Sequence, residues 1–326
     1  MTLQPELPQP RVHGGPDAFG AVQFDFSTNS NACGPCPAAL AAIQRADATQ
    51  YPDASYTSLR AQLAAFHDVD VQRVVLAVSA SEFIFRITAM VARRGRRFVA
   101  LPPHSYGDYA HAAAAHGLKV VDAGVAELCW ECEPSSPLGL AHSDWRSGFG
   151  AVQVLDRAYE PLRLSSAFAH EGDLDKIWQL YSPNKALGLT GVRAAYAIAP
   201  LHAEQHIATM NQLCPSWPIG AHGVAMLEVW TLPQTHAWLA NSLTTLQQWK
   251  TQQITLCESF KWTVLSSLAN FFVCLADIDL VALRQHGIKL RDCTSFGLPG
   301  HVRISVQPPA AQSALQIAWL QTKGTR

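Results

Sequence analysis

From residue 58 onward, short apolar runs and helical patterns take turns along the chain. "SLRAQLAAFH" has helical period, "RVVLAV" (73–78) is an unbroken apolar run, and "SEFIFRITAMVARRG" (81–95) is helical and closes on a glycine. The series continues through "RFVALP", the helical "YGDYAHAAAAHG", "KVVDA", "LCWECEP", "FGAVQVLDRAY", "IWQLYS" and "AAYAIAP". A strand covered on both faces reads as a continuous apolar run, whereas one with a wet face alternates. The pattern therefore predicts an α/β domain with a mainly parallel, doubly covered sheet, and such sheets take ligands at the carboxyl ends of their strands. After about residue 210 the texture changes. A long helical stretch, "THAWLANSLTTLQQWKTQQITLCES", leads to "WTVLSS", "NFFVCLA", a helix through "DLVALRQHG", then "IKLRDC" and "HVRISV". This predicts a smaller α+β domain, and residues 1–30 read as an arm. At 326 residues and 48% hydrophobic, the chain suffices for about two domains.

The formal net charge is −1, so no bulk electrostatic pull toward nucleic acid or an anionic membrane is implied. The basic run Arg93-Arg94-Gly95-Arg96-Arg97 reads as a solvated turn between a helix and a strand. No window approaches 18 uninterrupted apolar residues, and the polar, Pro-rich start lacks a secretory stretch. The cytoplasm is the expected compartment, with the eight cysteines reduced and mostly acting as small core residues.

Two C-x-x-C pairs stand out, Cys33-Gly34-Pro35-Cys36 and Cys129-Trp130-Glu131-Cys132. A thioredoxin-type pair must follow a strand and open a helix, whose N-terminus lowers the first thiol's pKa. "NACGPCPAAL" could open a helix at Pro37, but "FDFSTNSN" before it is only briefly apolar. Zinc pairs lie roughly 15–20 residues apart, far closer than these two. No metal site is expected.

Five local features fall at predicted strand ends. In "YSPNKALGLTGVRAAY" (181–196), Lys185 follows directly on an apolar strand in a segment rich in small residues. A lysine held there and partly desolvated has a free amine for Schiff-base chemistry, and Ser182 and Arg193 could grip an anion. In "VLDRAY", Asp156 ends an apolar run where its carboxylate would face a ligand and hold a ring nitrogen protonated, with Tyr159 three residues on. In "VSASEF" the N–H groups of Ala80, Ser81 and Glu82 open a helix and would be free for a phosphate. Tyr106 in "PPHSYGDY" follows a strand and could lie flat on an aromatic cofactor. Arg303 in "GLPGHVRISV" could fork a carboxylate.

In this combination and order the chain resembles the class I/II aminotransferases, fold type I pyridoxal-phosphate enzymes. The nearest branch is that of histidinol-phosphate aminotransferase and threonine-phosphate decarboxylase. The segments "HGG" (13–15), "DFSTNSNACGP" (25–35), "YPDASYTSLR" (51–60), "DRAY" (156–159), "SPNKALGLTGVR" (182–193) and "RDCTSFGLPGHVRISV" (291–306) carry the resemblance.

The resemblance implies the aspartate aminotransferase-like fold. Residues 1–48 would form an arm and part of a small domain, 49–209 a large domain with a mainly parallel seven-stranded sheet, and 210–326 the small C-terminal domain. It implies pyridoxal 5'-phosphate held by Lys185 as a Schiff base, with Asp156 on the pyridinium nitrogen, Tyr159 on the phenolic oxygen and Tyr106 on the ring face. Ser81, Glu82, Ser182 and Arg193 would hold the phosphate. Arg303 would bind the substrate carboxylate, and Asn31 would lie in a loop closing over substrate. Tyr51 would reach the cofactor of a second copy in a homodimer. Arg291 and Arg11 are candidate contacts for a substrate phosphate. Ser136 stands where the family usually has an asparagine touching the phenolic oxygen, and a serine has only one donor. Asn184 replaces the usual hydroxyl residue before the lysine. The implied activity is transamination of an amino acid or amino phosphate, with decarboxylation of threonine phosphate for cobalamin synthesis as the alternative. A catalytically silent dimeric binding protein and a thiol oxidoreductase using Cys33 and Cys36 are the readings from other classes.

Overall fold

A computed structural model gives the fold and describes residues 13–141, 151–165 and 173–324. Arg11 lies outside the described residues. The first elements are β1 (Phe24–Asp25), α1 (Pro37–Arg45), α2 (Thr57–His67), β2 (Val74–Ala77) and α3 (Ala80–Arg93). Next come β3 (Phe98–Ala100), α4 (Gly107–Ala115), β4 (Lys119–Val120), β5 (Leu128–Cys132), β6 (Val152–Asp156), β7 (Trp178–Tyr181) and β8 (Ala195–Ile198). The chain then runs through α5 (Glu204–Gln212), α6 (Ala221–Trp230), α7 (Pro233–Ser259), β9 (Thr263–Val264) and β10 (Phe271–Leu275). It closes with α8 (Leu280–Gln285), β11 (Ile288–Lys289), β12 (Arg291–Asp292), β13 (His301–Ser305) and α9 (Pro309–Gly324).

Seven strands form the large sheet in the order β2-β8-β7-β6-β5-β3-β4. All neighbours are parallel except β8, which runs antiparallel to both β2 and β7. The apolar runs are explained by cover on both faces. Val75 and Ala77 of β2, with Ala195 and Ala197 of β8, face a cluster built on Phe83, Ile84, Ile87 and Met90 of α3. The alternate residues Val74, Leu76, Tyr196 and Ile198 face Leu59 and Leu63 of α2 and Trp230 of α6. The small side chains on one face of β8 let α3 lie close. Helix α3 starts where it does because Ser79 caps it: its Oγ accepts from the Glu82 N–H at 3.1 Å, and Glu82 Oε2 accepts from Val78 N–H at 3.2 Å.

A second, antiparallel sheet has the order β12-β13-β10-β9. β1 pairs in parallel with β11, and Phe26 O accepts from Ser305 N–H at 2.9 Å, so residues 24–27 lie against the C-terminal strands. Among the described residues no helix is long and apolar enough to cross a membrane.

Helix α7 buries one lysine. Lys250 is 8% exposed and donates to the carbonyls of Ser267 and Ala269. Burial holds its pKa down at about 8. In the unfolded chain lysine titrates near its ordinary value of 10.5. The folded state therefore binds fewer protons between those values, and stability rises with pH across that window, by about 3 kcal/mol at full effect. Urea midpoints at pH 7.5 and 10 should show this rise in the wild type and its loss in Lys250→Met. Parallel pH profiles for the two proteins would rule the account out.

Candidate active site

The carboxyl ends of β2, β3, β5, β6 and β7 open on one cavity of about 690 Å³. Because β8 is reversed, its first residues come to the same edge, and Arg193 and Ala194 line the cavity with them.

One end is built for an anion. Ser79, Ala80 and Ser81 line it at the N-terminus of α3, where backbone N–H groups carry partial positive charge. Ser182, just past β7, is buried and its Oγ has no hydrogen-bond partner. Arg193 stands exposed at the mouth. Tyr106 faces the same space, with its hydroxyl 3.0 Å from Ser81 Oγ and burial raising its pKa.

The deep wall holds Asp156, the last residue of β6 and 4% exposed. Its Oδ2 accepts from the Tyr109 hydroxyl at 2.7 Å and its Oδ1 from Ala158 N–H at 2.9 Å. Tyr109 in turn stacks on Trp130, with centroids 4.5 Å apart. Burial pushes the Asp156 carboxyl above its ordinary value, while Tyr109, Ala158 and the charge of Lys185 pull it back. A carboxylate so placed favours a cation facing it. Lys185 Nζ lies 5.3 Å from the centre of the Tyr159 ring. The Tyr159 hydroxyl accepts from Asn29 Nδ2 at 3.3 Å.

The remaining wall carries two arginines opposite each other in register, Arg291 on β12 and Arg303 on β13. Both are buried, at 4% and 6% exposed. Like charges directly across a strand pair are unfavourable, and burial together with Arg303 depresses the Arg291 pKa. The Phe296 ring eases this, with the Arg291 guanidinium 4.7 Å and the Arg303 guanidinium 5.7 Å from its centre. Arg303 donates to Ser136 Oγ and to Ser27 O, both at 3.1 Å, and its Nε is buried without a partner. Lys185, Arg193, Arg291 and Arg303 outnumber the two lining carboxylates, Asp156 and Asp292, so the cavity suits anionic ligands.

The sequence pattern that defines aminotransferase class I and II matches residues 21–126 and 147–317. The chain belongs to the class I and II aminotransferases. A histidinol-phosphate aminotransferase of Halorubrum lacusprofundi is 29% identical, over 86% of this chain and 83% of its own length. In fold, this aminotransferase is similar to a histidinol-phosphate aminotransferase of Sinorhizobium meliloti solved with pyridoxal 5'-phosphate. That likeness has a TM-score of 0.78 at 20% identity and covers 94% of this chain and 92% of that one. The L-threonine-O-3-phosphate decarboxylase of Porphyromonas gingivalis gives 0.68 at 19% identity, over 88% and 93%. These solved structures share the aspartate aminotransferase-like architecture expected from the sequence.

Pyridoxal 5'-phosphate is the cofactor of such an aminotransferase, and the donors present fit it. Partnerless Ser182 Oγ, the α3 N-terminus and Arg193 suit a phosphate, while the buried Asp156 carboxylate suits a protonated ring nitrogen. Of the residues singled out in the sequence, Ala80, Ser81, Tyr106, Ser136, Asp156, Tyr159, Ser182, Lys185, Arg193, Arg291 and Arg303 line the cavity.

Three others do not. The Glu82 N–H was expected to be free for a phosphate, but the Ser79 cap takes it. Asn31 was expected over the substrate. It is 2% exposed and away from the cavity, its side-chain amide donating to Ala186 O and Ser242 Oγ. Asn29 of the same loop lines the cavity instead. Tyr51 is 78% exposed and stacks on Trp217 at 4.6 Å, outside the cavity of its own chain. Ser136 Oγ, expected near a ring oxygen, accepts from Arg303. His13 and Tyr109, to which sequence reasoning gave no role, reach the cavity wall and Asp156 respectively. Position i+3 from Tyr106 on a helix was the available signal for Tyr109.

Of the cysteines in the two C-x-x-C pairs, only Cys132 lines the cavity, where it lies beside Tyr109. Burial raises the Cys33 thiol pKa, and Cys129 and Cys132 are buried on β5.

Proposed function

We propose that this aminotransferase holds its cofactor through Lys185 and acts on an amine that carries a second anionic group, best matched by a phosphate. The observation that carries the reading is the register pair Arg291–Arg303, two buried guanidiniums facing one cavity with Lys185 and Asp156. An anion lying between them relieves their repulsion, a gain that a neutral side chain does not provide. Pyridoxal phosphate supplies an electron sink for a bond broken at the amine-bearing carbon. Lys185 would hold the aldehyde and, when released, would take and return the proton at the substrate Cα. Asp156, fixed by Tyr109 and Ala158, would keep a proton on the ring nitrogen. Tyr106 would cover the ring, Tyr159 would hold its oxygen side, and Ser81, Ser182 and Arg193 would grip the phosphate. Arg303 takes the substrate's first anionic group and Arg291 the second.

The name of the Halorubrum relative supports histidinol phosphate as a substrate. A second reading, decarboxylation of threonine phosphate, is favoured by the "HGG" segment, which puts His13 and Gly14 on the cavity wall. The exposed Tyr51–Trp217 stack supports a homodimer, with Tyr51 turned toward a second copy, a reading that a monomer in sedimentation would remove. The eight cysteines, none of them in a disulfide, suit the reducing cytoplasm.

The protein is to be loaded with pyridoxal phosphate and given histidinol phosphate, threonine phosphate and unphosphorylated amino acids. Carbon dioxide release and conversion of the cofactor to its amine form are followed separately. Loss of one charged contact is worth about 2 kcal/mol, so Arg291→Leu should raise KM for a phosphorylated amine about thirtyfold and leave unphosphorylated amines within about threefold. Equal losses on both classes would remove the phosphate reading.

A further inference from the structure

The turn that carries Lys185 is held from behind by the loop that contains Cys-Gly-Pro-Cys. Asn31 N–H donates to Lys185 O at 2.9 Å, Asn31 Nδ2 to Ala186 O at 3.0 Å, and Cys36 N–H to Leu187 O at 2.8 Å. Three consecutive carbonyls of the lysine turn are thus tied to one short segment. The contact is close. A Cβ on Gly188, whose φ is +70°, would lie 2.8 Å from Gly34 Cα, and one on Gly34 would lie 2.9 Å from Gly188 Cα. This accounts for the motif without thiol chemistry: Gly34 permits the approach, and Cys36 contributes a backbone N–H.

Asn31 is the centre of the arrangement. Its Oδ1 accepts from Cys33 N–H at 3.0 Å, which fixes the side chain, and its Nδ2 also donates to Ser242 Oγ of α7 at 2.8 Å. At 2% exposure, these bonds are shielded from solvent in the intact protein. The amine of Lys185 hangs from the backbone that Asn31 grips, within electrostatic reach of Asp156 and near the Tyr159 ring.

We infer that Asn31 is a positioning residue that fixes the Lys185 turn through the carbonyls of Lys185 and Ala186, and so sets where the reactive amine stands. This rests on the reactive role proposed for Lys185. A reacting group displaced by about 1 Å can lose about a hundredfold in rate, so the brace acts on turnover more than on binding.

Hydrogen exchange of the 183–190 segment is measured first, in wild type and Asn31→Ala, both with excess pyridoxal phosphate. The variant should exchange about tenfold faster at Leu187 and Gly188 while β5 and β6 keep wild-type rates. In the loaded enzyme kcat should fall about thirtyfold, with KM for the amine within about threefold. The pH midpoint of the visible band of the lysine-held cofactor should move by at least about half a unit. Ser242→Ala keeps both contacts to the lysine turn and should match wild type in exchange and midpoint. Wild-type exchange, kcat and midpoint in Asn31→Ala would overturn the inference whatever happens to its melting temperature. So would Ser242→Ala reproducing the effects. If Asn31→Ala does not fold, Asn31→Ser is judged by the same criteria. A wild type that takes up no pyridoxal phosphate sinks the functional reading instead, and the exchange comparison still decides the brace.

Discussion

Lys185→Ala is expected to lower kcat by about 10⁴-fold or more, because on the proposed reading the variant loses both the covalent anchor and the base at the substrate Cα. Lys185 is the lysine on the cavity wall, and the guanidiniums of Arg193, Arg291 and Arg303 lack the primary amine that could replace it. Cofactor uptake should survive, since on the proposed reading Ser182, the α3 N-terminus and Arg193 would hold the phosphate without the lysine. The check is borohydride reduction followed by peptide mapping, which should label residue 185 in wild type and nothing in the variant. A variant within tenfold of wild-type kcat would end the assignment of Lys185.

Asp156→Asn should cost about 10²–10³-fold in kcat, the range for removing one preorganised electrostatic partner of a reacting group. The fold should tolerate the change. Asparagine keeps the volume and one carbonyl oxygen, so one of the two bonds now made to Tyr109 and Ala158 can remain. The burial that raises the Asp156 carboxyl pKa makes a facing cation favourable, and a neutral amide offers it nothing. The near-isosteric swap thus separates charge from shape: kcat should fall while circular dichroism and melting stay near wild type. Unchanged turnover would mean that the carboxylate merely anchors Tyr109.

Much of this architecture is written in the local pattern of the chain. The apolar runs ending in Asp156, and in Ser182 with Lys185, gave both strand and site, because the cover on both faces and the chemistry at the ends are local properties of the chain. What escaped was set by long-range geometry. The alternation alone could not reveal that β8 runs backwards. The physical cue was the connection from 182 to 194, which holds no helix to cross the face of the sheet. Glu82 escaped because a cap competes with a ligand for the same N–H, and Ser79 wins it. Asn31 and Asn29 are two residues apart in one loop, and only the packing against α7 decides which faces the cavity. The Arg291–Arg303 register depends on the pairing of β12 with β13, which no sequence period specifies.

The reversed strand has one more consequence. Ser182, Lys185 and Arg193 sit on a single tether strung between two neighbouring strands, both of whose ends are clamped at the rim. One amino acid gained or lost between 182 and 194 is expected to displace the Lys185 amine relative to Ser182 and Arg193.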